Sequence, residues 1–200
     1  MNYIIESEET ADFNDEEKSL SKLIETVKRN RAEKIFCLVD ESKSALKQFL
    51  FHTALDENLK PVIRNIAGSL QNLFELNYDL RNEDICLIKT DSVFSDEEFH
   101  DFINYSVLQN EADGIIGITK NINNERPLCV ALDENDFILK FSELKEGYNW
   151  AVNGVYFFSH KVIEIGSFAV NNRITDIKDF LRLLISKGYL IKGFLFNSQI

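Results

Sequence analysis

Up to about residue 110 the chain alternates short apolar runs with longer amphipathic ones, and this alternation restricts its fold more than any other feature. Tyr3-Ile4-Ile5 reads as a first strand. Lys18 to Arg31 has helical period, with Leu20, Leu23, Ile24 and Val27 on one face. Lys34 to Val39 is a second strand, and Ser42 to Asn58 a helix with Leu46, Phe49 and Leu50 inward. Pro61 to Arg64 is a third strand, starting where proline is tolerated. Gly68-Ser69 opens a helix carrying Leu70, Leu73 and Phe74. A strand follows from Ile85. Ser95-Asp96-Glu97-Glu98 is a capping box, so a helix begins there, with Phe99, Phe102, Ile103 and Val107 inward. Strands alternating with helices predict right-handed crossovers and a mostly parallel sheet.

The second half changes character. Gly114 to Thr119 is a strand. Leu128 to Leu132 and Phe137 to Phe141 are strands joined by Asp133-Glu134-Asn135-Asp136, a connection short and polar enough for a hairpin. That acidic cluster reads as a turn, since Asp and Asn favour turns through local backbone hydrogen bonds. Val155 to Phe158 is a strand, Ile174 to Lys187 a helix ended by Gly188, and Leu190 to Phe196 a final strand. The expectation is an α/β fold: a three-layer sandwich with a mostly parallel mixed sheet and an inserted β-hairpin. Residues 1–200 form a single domain in this reading, long enough to bury a sizeable core.

Composition narrows the function. Sixteen Phe against two Pro favour an ordered core over linker or low-complexity sequence. No apolar run approaches the roughly 20 residues a membrane helix needs. The acidic start (Glu6, Glu8, Glu9, Asp12, Asp15, Glu16, Glu17) has no signal- or transit-peptide pattern. A net charge of −11 opposes nucleic-acid and anionic-membrane partners. A polyphosphate ligand would need a metal ion or local amides to offset that field. Cys37, Cys86 and Cys129 sit in apolar strands at spacings that match no zinc pattern, and read as buried, reduced thiols of a cytoplasmic protein. His52, His100 and His160 read as surface histidines.

The run Ile85-Cys86-Leu87-Ile88-Lys89-Thr90-Asp91-Ser92-Val93-Phe94 is a buried strand ending on a lone carboxylate. Ligands of open α/β sheets bind beyond the carboxyl ends of the strands. An acid there can hold a cation, and the cation can hold phosphates. On this run alone Asp91 reads better as an ordinary turn Asp, which is common after strands.

The order of features resembles the sugar-phosphate nucleotidyltransferase family, the nucleotide-sugar pyrophosphorylases, from about Lys18 to the C-terminus. Val62-Ile63-Arg64 followed by Gly68-Ser69-Leu70 stands where the family has a strand and a Gly-Thr-Ala-like turn. Thr90-Asp91, with Val93-Phe94 after it, stands where the family has Gly-Asp, whose Asp binds magnesium. Phe141-Ser142-Glu143-Leu144-Lys145 occupies the place of a Glu-Lys-Pro motif. Val152-Asn153-Gly154-Val155-Tyr156 occupies that of Asn-x-Gly-Ile-Tyr. Ile174-Thr175-Asp176, Gly188 and Leu190 to Phe196 follow the family's last helix and strand. The resemblance implies a nucleotide-diphospho-sugar transferase fold. It implies nucleotide contacts at Gly68, Ser69 and Thr90, sugar or phosphate contacts at Glu143, Lys145 and Asn153, and Mg²⁺ at Asp91.

The departures bear on activity. The family opens with a Gly-rich loop containing G-x-G-x-x-R, then a Lys, and these grip the triphosphate. Here Tyr3-Ile4-Ile5 leads into Glu6-Ser7-Glu8-Glu9-Thr10-Ala11-Asp12, with neither Gly nor Arg. Lys18 is the basic residue left before the helix, and reads as a solvated first-turn Lys. Asn153 and Lys145 are each shifted by one from the family's positions. Gln199-Ile200 stands where the family's second magnesium Asp is expected. No catalytic residue is assigned. The functions implied are a divergent nucleotidyltransferase, weakly active or inactive, making a nucleotide sugar from a sugar-1-phosphate and a nucleoside triphosphate; a non-catalytic nucleotide or nucleotide-sugar binding or regulatory subunit; or a glycosyltransferase of the same fold. The partners implied are a nucleoside triphosphate or nucleotide sugar, with a second copy or a partner subunit also open.

Overall fold

Strand β1 (Asn2–Glu6) lies next to β2 (Lys34–Asp40), and β2 next to β3 (Leu59–Arg64), all parallel. The computed structural model describes residues 1–7, 13–53, 58–64, 76, 80, 83–120 and 127–197. Strand β4 (Ile85–Lys89) joins β1 on its other side, again parallel, with Asn2 opposite Ile85 and Glu6 opposite Lys89. Beyond it come β5 (Gly114–Thr119), β6 (Cys129–Leu132), β7 (Ile138–Ser142), β8 (Trp150–Phe158) and β9 (Ile191–Phe196). The sheet order is β3-β2-β1-β4-β8-β5-β9, with the β6–β7 hairpin attached to the start of β8. Four ladders along this path are parallel, and the two made by β8 are antiparallel.

Alternate residues of the strands face opposite sides, so each side of the sheet gathers its own core. Tyr3, Ile5, Ile35, Cys37, Val39, Cys86 and Ile88 pack on one side. They lie under α1 (Phe13–Arg29), α2 (Ser44–Thr53) and α3 (Asp96–Leu108), which contribute Leu20, Ile24, Leu46, Leu50, Phe99 and Phe102. Ile4, Phe36, Leu38, Leu87, Ile116, Tyr156 and Phe158 face the other side. There they meet α4 (His160–Glu164), α5 (Gly166–Asn171) and α6 (Ile177–Ser186) through Val162, Ala169, Phe180, Leu181 and Leu184. A sheet covered on both faces needs strands apolar throughout, which is why β1, β2 and β4 carry almost no alternation. The three-layer α/β architecture and its hairpin are as the sequence implied.

Several boundaries differ. Helix α1 begins at Phe13, ahead of its apolar stripe, because Glu16 is itself buried and paired with Lys43. Asn58 lies in a turn rather than in α2, and residues 54–57 fall outside the described set. β3 begins at Leu59, so Pro61 is inside the strand; it is tolerated because β3 is the sheet edge. Val107 is 59% exposed, and Ser106 takes the inward position instead, its hydroxyl donating to the Phe102 carbonyl at 2.7 Å. β8 reaches back to Trp150. α6 begins only at Ile177, because the Asp176 carboxylate accepts from the Lys178 amide as an N-cap. The helix proposed at Gly68-Ser69 lies outside the described residues. α4 and α5 had no counterpart in the sequence reading.

Candidate functional site

β1 is flanked by β2, which follows it in the chain, and by β4, which comes later. The sheet order therefore reverses between β1 and β4, and the carboxyl ends of these two strands form its topological switch point. β4 is the middle strand of the path. Its chain ends in a tight turn: the Thr90 amide donates to the Glu6 carbonyl at 3.0 Å and the Ser92 amide to the Lys89 carbonyl at 3.1 Å. Thr90 is buried and Asp91 exposed. The turn therefore places the Asp91 carboxylate at the edge of the central strand, facing water. Phe94 then drops into the core and Ser95 caps α3. The Ser95 hydroxyl accepts from the Glu98 amide at 3.1 Å while Glu98 Oε2 accepts from the Ser95 amide at 2.9 Å. Glu98 Oε1 accepts from the Asn197 amide at 2.7 Å, tying the same helix to the end of β9.

Glu6 and Ser7 are both buried, and the Ser7 amide donates to the Leu38 carbonyl at 3.1 Å. A carboxylate occupies the place where a phosphate-binding loop would begin. Lys18 is exposed on α1. Half-buried Lys43 meets both oxygens of buried Glu16 at 2.7 and 2.8 Å, so its charge is already compensated. Glu8, Glu9, Gly68 and Ser69 lie outside the described residues.

The remaining candidates come from the other side of β8. Asn153 is brought to the Asp91 turn: its Nδ2 donates to the Val93 carbonyl at 3.2 Å. Glu143 and Lys145 follow β7, whose last residue Ser142 pairs with Cys129, which in turn pairs with Ala151. Both are exposed. Glu143 Oε1 accepts from Arg182 of α6 at 2.7 Å, and Arg182 also bonds Asp179 at 2.9 Å. Burial pushes the Cys129 thiol up, and the Lys145 charge acts against that shift. Nearby, the Lys120 ammonium stands 5.3 Å from the Trp150 ring centre.

Burial also pushes Cys37 up to about 12, and pushes Cys86 up further. Neither is available as a thiolate, which agrees with their reading as core residues. His52, His100 and His160 are all exposed. Asp133 Oδ1 accepts from the amides of Asn135 and Phe137 at 2.9 Å, so the acidic cluster is a turn. Among the described residues no group of three or more His, Cys, Asp or Glu could hold a metal ion, and no helix is long and apolar enough to cross a membrane.

The sequence reading passed over Arg182, the Glu16–Lys43 pair, Ser92 and Gly117. The last of these had a visible signal, since an isolated Gly inside a strand marks a bulge or a close approach. The ion pairs join segments distant in sequence and had none.

Comparison with solved structures identifies the fold. The inositol-1-phosphate CTP transferase of T. maritima aligns over 100% of this chain and 87% of its own, with a TM-score of 0.77 and 17% identity. The putative glucose-1-phosphate thymidylyltransferase of Bacillus anthracis, solved with a sucrose, aligns over 98% and 87% at a TM-score of 0.74 and 15% identity. The CMP:2-keto-3-deoxy-manno-octonic acid synthetase complexed with CTP aligns over 98% and 90% at 0.73 and 11%. These are nucleotide-diphospho-sugar transferase folds. The sequence itself matches the family Nucleotidyl transferase over residues 14–199, and the chain belongs to that family. No curated protein sequence matches it.

Proposed function

We propose that this chain binds a nucleotide at the switch point between β1 and β4, and that it transfers nucleotidyl groups weakly or not at all. Family and fold supply the first half of the reading. The observation that carries the second is the state of the edge itself. The described amides of Ser7, Thr90 and Ser92 all donate to protein carbonyls, and Glu6, the last residue of β1, is buried. Catalysis of nucleotidyl transfer rests on positioning and on neutralising phosphate charge, with little covalent work for the protein. One oriented donor in such a site is worth roughly 3 kcal/mol. A chain with Glu and Asp after β1, where the family carries Gly and Arg, would lose most of the rate.

In this reading Thr90 and Asp91 serve the nucleotide and its metal ion, and the sequence match assigns further nucleotide contacts to Gly68 and Ser69. Glu143 and Lys145 face a sugar or its phosphate. Mg²⁺ is commonly held by one or two carboxylates together with substrate phosphates. Asp91 as an exposed carboxylate at the strand end fits the ion on those terms, with a nucleotide supplying the other oxygens. The bound ion would offset phosphate charge that the chain's net −11 repels. The test of activity is pyrophosphate release across sugar-1-phosphates and nucleoside triphosphates, CTP included because a structural neighbour was solved with it. The expected result is no turnover above background. Turnover above about 1 s⁻¹, in the usual enzyme range, refutes the reading.

A further inference from the structure

Strand β8 breaks its regular pairing at one point, and that point faces the Asp91 turn. Ile116 of β5 pairs with Tyr156 and Ile118 with Val152, so Gly117 alone stands opposite Asn153, Gly154 and Val155. A bulge of this kind bends its strand and re-aims a side chain. Gly154 has φ +93°, a backbone region that side chains with a Cβ rarely adopt. A Cβ there would stand 2.5 Å from Ser92 Oγ and 3.4 Å from Lys89 Cβ. Opposite it, a Cβ on Gly117 would stand 2.7 Å from Asn153 Oδ1 and 2.6 Å from the Phe196 ring. Glycine at both places lets Asn153 and the Ser92 segment lie against the sheet.

The other edge of β8 explains the geometry. There the β4 ladder stops at Val155, opposite Ile88, and the β6 ladder begins at Ala151, opposite Cys129. The stretch Ser92-Val93 closes the gap between them, held by the Asn153 Nδ2 hydrogen bond to the Val93 carbonyl. Ser92 Oγ and Asn153 Oδ1 are buried, with no hydrogen-bond partner among the described residues. Their place is set by packing. The far end of the stretch is held separately, by Phe94 in the core and by the Ser95 cap.

We infer that Asn153 and Gly154 are positioning residues: the bulge locks Ser92-Val93 onto β8 and so fixes where the Asp91 carboxylate stands. The inference rests on Asp91 serving the ligand, as proposed above, and it gives the Asn153 amide to the turn.

Hydrogen exchange of the full chain without ligand reads the lock directly. Losing one net hydrogen bond of ordinary strength should speed exchange across residues 90–95 roughly fivefold in Asn153→Ala, leaving β2 unchanged. Asn153→Leu has a similar branched shape without the donor and adds no charge, and should do the same, which keeps the test usable if the alanine variant folds poorly. Titration of CTP with and without Mg²⁺ reads the consequence. Both variants should lose about fivefold of the gain in affinity that Mg²⁺ brings, with metal-free affinity unchanged. Wild-type exchange rates over 90–95 in both variants would overturn the inference. Equal losses with and without Mg²⁺ would also overturn it, because they would mark Asn153 as a direct contact. If the unsubstituted chain binds no CTP, the nucleotide reading fails, and the exchange result alone decides the lock.

Discussion

Replacing Phe94 with alanine removes the side chain that joins the Asp91 turn to the core. Phe94 is 7% exposed. Its ring stacks on Phe99 with centroids 5.0 Å apart and planes at 21°, and meets Phe196 at 5.7 Å. Those neighbours are themselves committed. Phe99 contacts Phe102 at 6.3 Å, and Phe102 contacts Phe194 and Phe196, each at 5.5 Å. No single ring can swing into the hole without leaving its own partners, so the cavity persists. Phe→Ala in a core costs about 3–5 kcal/mol. Phe94 lies at the rim, where water can reach part of the vacated space, so the low end applies, about 3 kcal/mol. For a chain of this size each kcal/mol lowers Tm by about 2–4 °C, which gives a fall of about 6–12 °C. Urea unfolding should show the same loss as a lower midpoint at unchanged slope. Phe94→Leu keeps most of the volume and should cost about 1.5 kcal/mol or less. An alanine variant that loses under about 1 kcal/mol would show that the aromatic cluster does not anchor the turn.

Gly117→Ala should destabilise by about 2 kcal/mol in urea, because the new methyl meets Phe196 and Asn153 at under 3 Å in a packed strand. Glu16→Gln leaves Lys43 beside a neutral amide in a site where Glu16 is 2% exposed, and should cost about 3 kcal/mol. Replacing both with Met should recover most of that loss, and a double variant no better than the single one would contradict the pairing argument. The cysteines give a pH prediction. The folded-state value of Cys37 is raised from 9.0 to about 12 by burial. Its contribution is therefore complete below about pH 9 and is lost as pH rises towards 12. A thiol reagent at pH 8 should label native protein very slowly and denatured protein at all three cysteines. Rapid native labelling at Cys37 would contradict it.

The sequence revealed the fold where local pattern and tertiary role agree. Leu20, Leu23, Ile24 and Val27 read as a helix face because the sheet buries that face and no other. The Ser95–Glu98 box and Gly188 read as helix ends because capping is a matter of a few adjacent residues. Boundaries failed where a residue's burial depends on a distant partner. Glu16 is polar and buried because Lys43 reaches it, and nothing around residue 16 announces that. Val107 keeps helical period but falls past the edge of the sheet, while Ser106 can turn inward by bonding its own helix. At the site, Asp91 was legible from one strand and its end. The arrangement that holds it was not, since Asn153, Gly117 and Ser92 lie on three segments that meet only after folding. Glu143 was named as a motif residue, but its tie to Arg182 depends on how α6 packs beside the hairpin.

Calorimetric titration of the chain with nucleoside triphosphates, with and without Mg²⁺, tests the central claim most directly, with Asp91→Ala run beside it. The account predicts binding by the unsubstituted chain that Mg²⁺ strengthens at least tenfold, roughly 1.4 kcal/mol. It predicts that Asp91→Ala abolishes that gain while the variant stays folded, with a cost under about 1 kcal/mol as is usual for an exposed position. A binding isotherm and Mg²⁺ dependence unchanged by Asp91→Ala would contradict it.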